Sequence, residues 1–89
     1  MSSGAKVNSQ AVADMITALV TMQNKMMAME NNLELGMTTA GAQWKDDQFK
    51  KLQEMQKTMH GHLLALLKKV EDDILRLEKI KKAIDAYNE

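Results

Sequence analysis

The chain has 89 residues, no cysteine, and twelve basic side chains that cancel twelve acidic ones. A domain of this size buries only about 60% of the surface of its unfolded chain, and it has no disulfide to compensate. The balanced charge gives no general attraction to nucleic acid or to an anionic membrane, so we expect neither as a partner. We predict one small domain, residues 1–89, that gains stability by associating with another chain.

The N-terminal segment, MSSGAKVNSQAVADM, lacks the basic start and continuous apolar core of a secretory signal. The most apolar run, AVADMITALVTM, is interrupted by Asp14 and falls short of the roughly 20 residues that span a bilayer. We therefore expect a protein that is made in the cytoplasm and does not insert into membranes. If it is exported, we expect it to leave without a cleaved signal peptide.

A first helix is predicted over about residues 9–35, because apolar residues recur there at steps of three and four. This first seam consists of Val12, Met15, Leu19, Met22, Met26, Met29 and Leu33. Asn8 or Ser9 can cap the start of the helix. Gly36 is a typical left-handed C-terminal stop.

A second helix is predicted over about residues 44–88, after a turn at 36–43. Its longer seam consists of Phe49, Leu52, Gln56, Met59, Leu63, Leu66, Val70, Asp73, Leu77, Ile80, Ile84 and Tyr87. Leu67 and Ile74 widen the apolar stripe. At Asp73 two interpretations remain: the aspartate fixes the register, or the stripe shifts to Ile74 and Asp73 faces water.

The short connection makes the two helices antiparallel neighbours, so the predicted fold is an all-α helical hairpin. At about 1.5 Å per residue the second helix is roughly 25 Å longer than the first, and its far end lacks a partner unless it bends near Gly61. In the first helix Lys25 is the only charged residue between Met15 and Met29. Both features predict that two hairpins pair into a four-helix bundle. The predicted pairing surface combines the first seam with part of the second: Leu63, Leu66, Val70, Leu77, Ile80 and Ile84.

Catalytic and cofactor patterns are missing from the sequence. It has no recognisable nucleophile setting and no glycine-rich phosphate loop, so we expect neither an enzyme nor a cofactor. The chain has nine methionines, and thioethers with imidazole suit Cu(I), so Met59 and His62, with Met55 nearby, could share such an ion. Methionine at core spacing is more typical of an adaptable apolar interface, and His60 and His62 diverge by about 200° on a helix. We therefore predict no metal site.

The turn region contains the only tryptophan and the only phenylalanine, in Trp44-Lys45-Asp46 and then Phe49. With its size, its lack of cysteine and of a signal peptide, and its two heptad-bearing helices, the whole chain resembles the WXG family. These are small helical hairpins exported by bacterial type VII secretion systems. Their turn reads Trp-any-Gly, and an acidic or small residue sometimes replaces the glycine, as Asp46 does here.

The resemblance implies a turn motif of Trp44, Asp46 and Phe49, and homodimers or heterodimers that form an antiparallel four-helix bundle. It also implies secretion in the folded state, sometimes as the partner of a larger toxin. The family's Tyr-any-any-any-acid export signal is incomplete here, because only Asn88 and Glu89 follow Tyr87. A partner chain would then carry that signal.

The predicted function is a non-enzymatic protein–protein interaction module of the WXG type, a secreted protein or a secretion partner. Its partner would be itself, a paralogous hairpin, or a larger secreted toxin or secretion component. The alternative is a cytoplasmic coiled-coil adaptor or chaperone, or a polymerising subunit of a secretion apparatus. A methionine-rich groove suits an adaptor that must accept varied partners.

Overall fold

The computed structural model describes residues 8–88, and this part of the chain consists of two α-helices without a strand. Helix α1 spans Ser9–Gly41 and helix α2 spans Asp47–Asn88. They lie antiparallel in a rod of 68 × 17 × 16 Å. The all-α prediction is confirmed, and the two helices form a hairpin.

The start of α1 is capped as the sequence predicts. Asn8 has an extended backbone (φ −77°, ψ 109°), and its side chain accepts a hydrogen bond from the backbone N–H of Gln10 at 2.9 Å. A side-chain oxygen at this position satisfies one of the backbone donors that the first helical turn leaves free.

The end of α1 lies six residues beyond the predicted one. The helix runs through Gly36, and no glycine in residues 8–88 has a positive φ, so the prediction of a left-handed stop at Gly36 was wrong. Met37, Ala40 and Gly41 are half-buried, so packing stabilises the helix beyond Leu33. The helix closes where the N–H groups of Gln43 and Trp44 both donate to the carbonyl of Ala40.

Helix α2 begins three residues later than predicted, which places Trp44 in the turn. Asp46 caps the helix: its Oδ1 accepts the backbone N–H of Phe49 at 3.0 Å. From there α2 is continuous to Asn88, including Gly61, so the bend that the sequence allowed does not form. The turn is therefore residues 42–46 rather than 36–43.

Hydrogen bonds between the helices show that they run side by side along almost their whole length. Ser9 Oγ donates to Asp85 Oδ1 at 2.5 Å, close to the open end of the hairpin. Gln23 Nε2 donates to Glu71 Oε2 at 3.0 Å nearer the middle. The predicted overhang of α2 was therefore wrong, because α1 is longer than predicted and reaches nearly to the end of α2.

The buried apolar residues of the described chain are few: Val12, Phe49, Val70 and Ile74, each at most 7% exposed. Asp73 is exposed beside the buried Ile74, so the stripe shifts at that point as one of the two interpretations held. Separately, no helix within residues 8–88 combines the length and the apolarity needed to cross a membrane.

Candidate functional site

The closed end of the hairpin is packed around Phe49, which is 5% exposed. A Cβ atom added at Gly41 would lie 2.9 Å from Cζ of Phe49 and 3.1 Å from its Cε2, closer than real side chains approach. Only glycine lets the last turn of α1 meet the ring at this distance. Gly41 therefore serves close packing at the end of α1, whereas the sequence places it in the turn at 36–43.

Trp44 lies on the outside of this contact. Its ring centroid is 5.6 Å from that of Phe49 with the planes tilted by 50°, and the residue is 41% exposed. The sequence predicts that Trp44 belongs to the turn motif, and the structure shows that the buried aromatic residue there is Phe49. A large part of the indole stays open to solvent at the tip of the rod.

Asp46 joins the two aromatic residues. Hydrogen bonds from the Trp44 side chain and then from the backbone N–H of Phe49 hold the pKa of Asp46 below its ordinary value of 3.8, and they outweigh the opposite effect of desolvation. The N–H of Gln48 makes a lesser contribution in the same direction. The structure thus brings together Trp44, Asp46 and Phe49. Beside them is an open groove of about 520 Å³. It is lined by residues that include Met37, Gly41, Lys45, Asp46, Phe49 and Lys50.

The predicted seam residues divide into two groups along the hairpin. One group is buried or half-buried: Val12, Leu19, Met26, Leu63, Val70, Leu77 and Ile84. The other group is exposed: Met15, Met22, Met29, Leu33, Leu66 and Ile80. On α1 the less exposed places beside this second group belong to Ile16, Gln23 and Glu30.

Five residues of the exposed group, together with Leu52 and Met59, form a surface that we call the apolar face. It is defined as Met15, Met22 and Met29 of α1 with Leu52, Met59, Leu66 and Ile80 of α2. These side chains are between 37% and 63% exposed. A groove of about 500 Å³ runs between the helices at its centre, lined by Met29, Glu30, Leu33, Met59, His62, Leu63 and Leu66. Because residues of both helices line one groove, the apolar face is continuous across the hairpin.

A shallower groove extends the apolar face along α1. Its volume is about 370 Å³, and it is lined by Ala18, Thr21, Met22, Lys25, Met26 and Met29. Lys25 is its single charged residue. The apolar face therefore follows the rod from its middle toward its open end.

A polar cluster lies between the helices at the level of Glu30, which is only 9% exposed. Gln56 Nε2 donates to Glu30 Oε1 at 3.2 Å, and His60 Nδ1 lies 2.5 Å from the same oxygen. Glu34 approaches the same place from the next turn of α1. Sequence reasoning missed this cluster, because the heptad spacing favoured Met29 over Glu30 as the residue facing α2.

No protein-family model, no curated protein and no solved structure matches this chain. The resemblance to WXG proteins therefore stays a prediction, and what the surfaces can do is judged from their geometry.

Proposed function

We propose that the chain is a protein–protein interaction module whose apolar face pairs with a second helical hairpin to form a four-helix bundle. The partner is a second copy of the chain or a paralogous hairpin. In this proposal the bundle belongs to the WXG type, a secreted protein or secretion partner of a type VII-like system. The exposed apolar face is the observation that carries the proposal.

The balance of burial supports pairing. Four buried apolar residues make a small core for a rod 68 Å long, whereas the apolar face leaves Met29 63% and Met59 50% exposed. Fully burying a methionine or leucine side chain is worth about 1.5–3 kcal/mol, so covering the whole face offers several kcal/mol. A contiguous exposed apolar surface of this kind marks interaction sites in soluble proteins.

The dimensions of the hairpin also suit pairing. One side of the rod is 68 Å long and 17 Å wide. That side has an area of about 1,150 Å², which is more than the about 800 Å² that each partner buries in a standard protein–protein interface. The methionines on the face are unbranched and adapt to the shape of the surface they meet. A second hairpin of the same length would cover the face from end to end.

The turn supports the secretion part of the proposal. Trp44 is 41% exposed although Phe49 beneath it is buried, so the indole is available for recognition while the ring below holds the hairpin closed. An exposed tryptophan at a fixed position is a common anchor in protein interfaces. In the proposed function, the secretion machinery contacts this residue.

A pair of leucines on α2 gives the test of pairing. Leu66 lies on the apolar face and Leu75 lies about 180° away around the helix, and the two are 48% and 50% exposed. We expect Leu66→Glu to elute as a single hairpin in size-exclusion chromatography, because pairing would bury its charge. Leu75→Glu should elute with the wild type.

Equal elution of Leu66→Glu and the wild type would contradict the proposed face. Circular dichroism on the same samples controls for folding, since both substitutions are at exposed helical positions and should retain helix content. Particles that grow with concentration would instead favour the polymerising subunit.

A further inference from the structure

Two carboxylates and an imidazole meet near the middle of the hairpin. Glu30 and Glu34 are four residues apart and therefore share one side of α1. His60 meets them from α2, and one ligand atom from each of the three residues lies within 4.8 Å of the other two. The cluster thus joins the two helices and combines nitrogen with oxygen ligands.

No permanently charged side chain compensates a negative charge on Glu30. The residue is 9% exposed, and its side-chain partners are the neutral amide of Gln56 and the imidazole of His60, which forms an ion pair with it only when protonated. Within residues 8–88 no lysine or arginine nitrogen lies within 4.0 Å of it. Glu34 adds a second carboxylate nearby. Burying a carboxylate is costly unless a positive charge accompanies it, and a divalent cation would provide that charge.

We propose that Glu30, Glu34 and His60 bind a divalent transition-metal ion, with Zn²⁺ as the representative. Zinc takes imidazole nitrogen and carboxylate oxygen as ligands at about 2.0–2.2 Å. Two ligand atoms of one zinc ion lie at most about 4.4 Å apart, so the three ligand atoms, which lie within 4.8 Å of one another, must draw together slightly. The direct contact between His60 and Glu30 must open to admit the ion. Magnesium and calcium prefer oxygen ligands alone, so the histidine favours zinc or a similar ion.

Gln56 would position the ligands. Its amide donates to Glu30 Oε1 and limits the orientation of that carboxylate. Hydrogen bonds of this kind orient metal ligands and raise the affinity of a site. A bound ion would connect α1 to α2 at a level where the contact between them is polar.

The open side of the cluster is not covered by the proposed pairing. Glu30 also lines the groove of the apolar face, but Glu34 lies about 140° around α1 from Met29, so the cluster opens away from that face. The ligand set also differs from the methionine and His62 combination that the sequence suggested for Cu(I). A hairpin that fails to pair would still present all three ligands.

Calorimetric titration of the full chain with zinc chloride tests the site. We expect one zinc ion per chain, with an affinity at least about tenfold weaker in Glu34→Gln and in His60→Gln. The matched control is His62→Gln, which removes the other histidine and should bind as the wild type does. Glu34 is exposed, so its substitution should leave the hairpin folded.

Several results would overturn the proposal: no saturable binding, one ion per two chains, or unchanged affinity in Glu34→Gln. A loss in His62→Gln equal to that in His60→Gln would do the same. Circular dichroism identifies any variant that has lost helix content. If His60→Gln is such a variant, Glu34→Gln alone decides the outcome.

Discussion

The closed end of the hairpin and its middle are held together in different ways. At the closed end Phe49 is 5% exposed and lies directly against Gly41, so apolar packing joins the helices. In the middle the helices meet at the buried Glu30, which accepts a hydrogen bond from Gln56 and contacts Nδ1 of His60, while Met29 beside it stays 63% exposed. The closed end is packed within a single chain, whereas the middle leaves its apolar side chains exposed along one side. That difference is expected of a hairpin that completes its core with further helices.

Removing the Phe49 ring should have the largest effect on stability, because it removes the apolar packing at the closed end of the hairpin. We expect Phe49→Ala to lower the free energy of unfolding by about 3 kcal/mol, the usual cost of deleting a buried phenylalanine ring. Urea unfolding followed by circular dichroism measures it. A loss no greater than that of a surface substitution would show that the closed end does not stabilise the hairpin.

The control for that variant is Trp44→Ala, which removes the half-exposed neighbour. Its expected cost is on the order of 1 kcal/mol, mainly the lost contact between the two rings. Because this variant should stay folded, its export from cells that carry the secretion system isolates the role of the indole. Normal export of Trp44→Ala would count against the secretion part of the proposed function.

The glycines of α1 should respond to alanine in opposite directions. Gly41→Ala places a methyl group 2.9 Å from the Phe49 ring, and we expect a loss of about 1–3 kcal/mol in stability. Gly36 has open space where its Cβ would be, so Gly36→Ala should gain up to about 1 kcal/mol from helix propensity alone. Thermal unfolding of the two variants gives the comparison. Stabilisation by both substitutions would mean that Phe49 does not rest on Gly41.

The smallest effect concerns the pH dependence of the cap at Asp46. Hydrogen bonds lower the pKa of this carboxyl in the folded chain, first from the Trp44 side chain and then from the N–H of Phe49. Because the pKa is lower in the folded than in the unfolded chain, the ionised carboxylate stabilises the fold at pH values above the unfolded pKa of about 4. This stability is lost as the pH falls through the folded pKa. We therefore expect the unfolding temperature to fall on acidification below about pH 4.

The matched variant is Asp46→Asn, since asparagine caps a helix as well as aspartate does but does not titrate. Its unfolding temperature should depend less on pH over the same range. Some dependence should remain from Asp85, whose pKa is lowered by the side chains of Lys81 and then Ser9. Identical pH profiles for the wild type and Asp46→Asn would contradict the assigned role of the cap.

Much of the fold could be predicted because its signals are local. The cap at Asn8 depends on the residues next to it, and the spacing of apolar residues predicts two helices whatever their partners are. The shift from Asp73 to Ile74 was visible as one of two alternatives, since both positions adjoin the same stripe. These features need no knowledge of how the helices meet.

What could not be predicted depends on contacts between distant parts of the chain. Glycine is a common residue at helix ends, so the sequence predicts a stop at Gly36. Only the packing of Gly41 against Phe49 shows why the helix continues past it. The seven-residue spacing favoured Met29 as the residue facing α2, whereas a helix turns every 3.6 residues and Glu30 occupies that place. The cluster of Glu30 and His60 follows from this one-position shift, so it could not be found before the helices were placed together.

The native mass of the wild-type chain, measured by light scattering across a dilution series, tests pairing through the apolar face most directly. Our account predicts a stable particle of twice the 10.0 kDa chain mass for self-pairing. A paralogous partner would give the same bundle only when both chains are present. A fully helical monomer at every concentration, with or without a candidate partner hairpin, would contradict it.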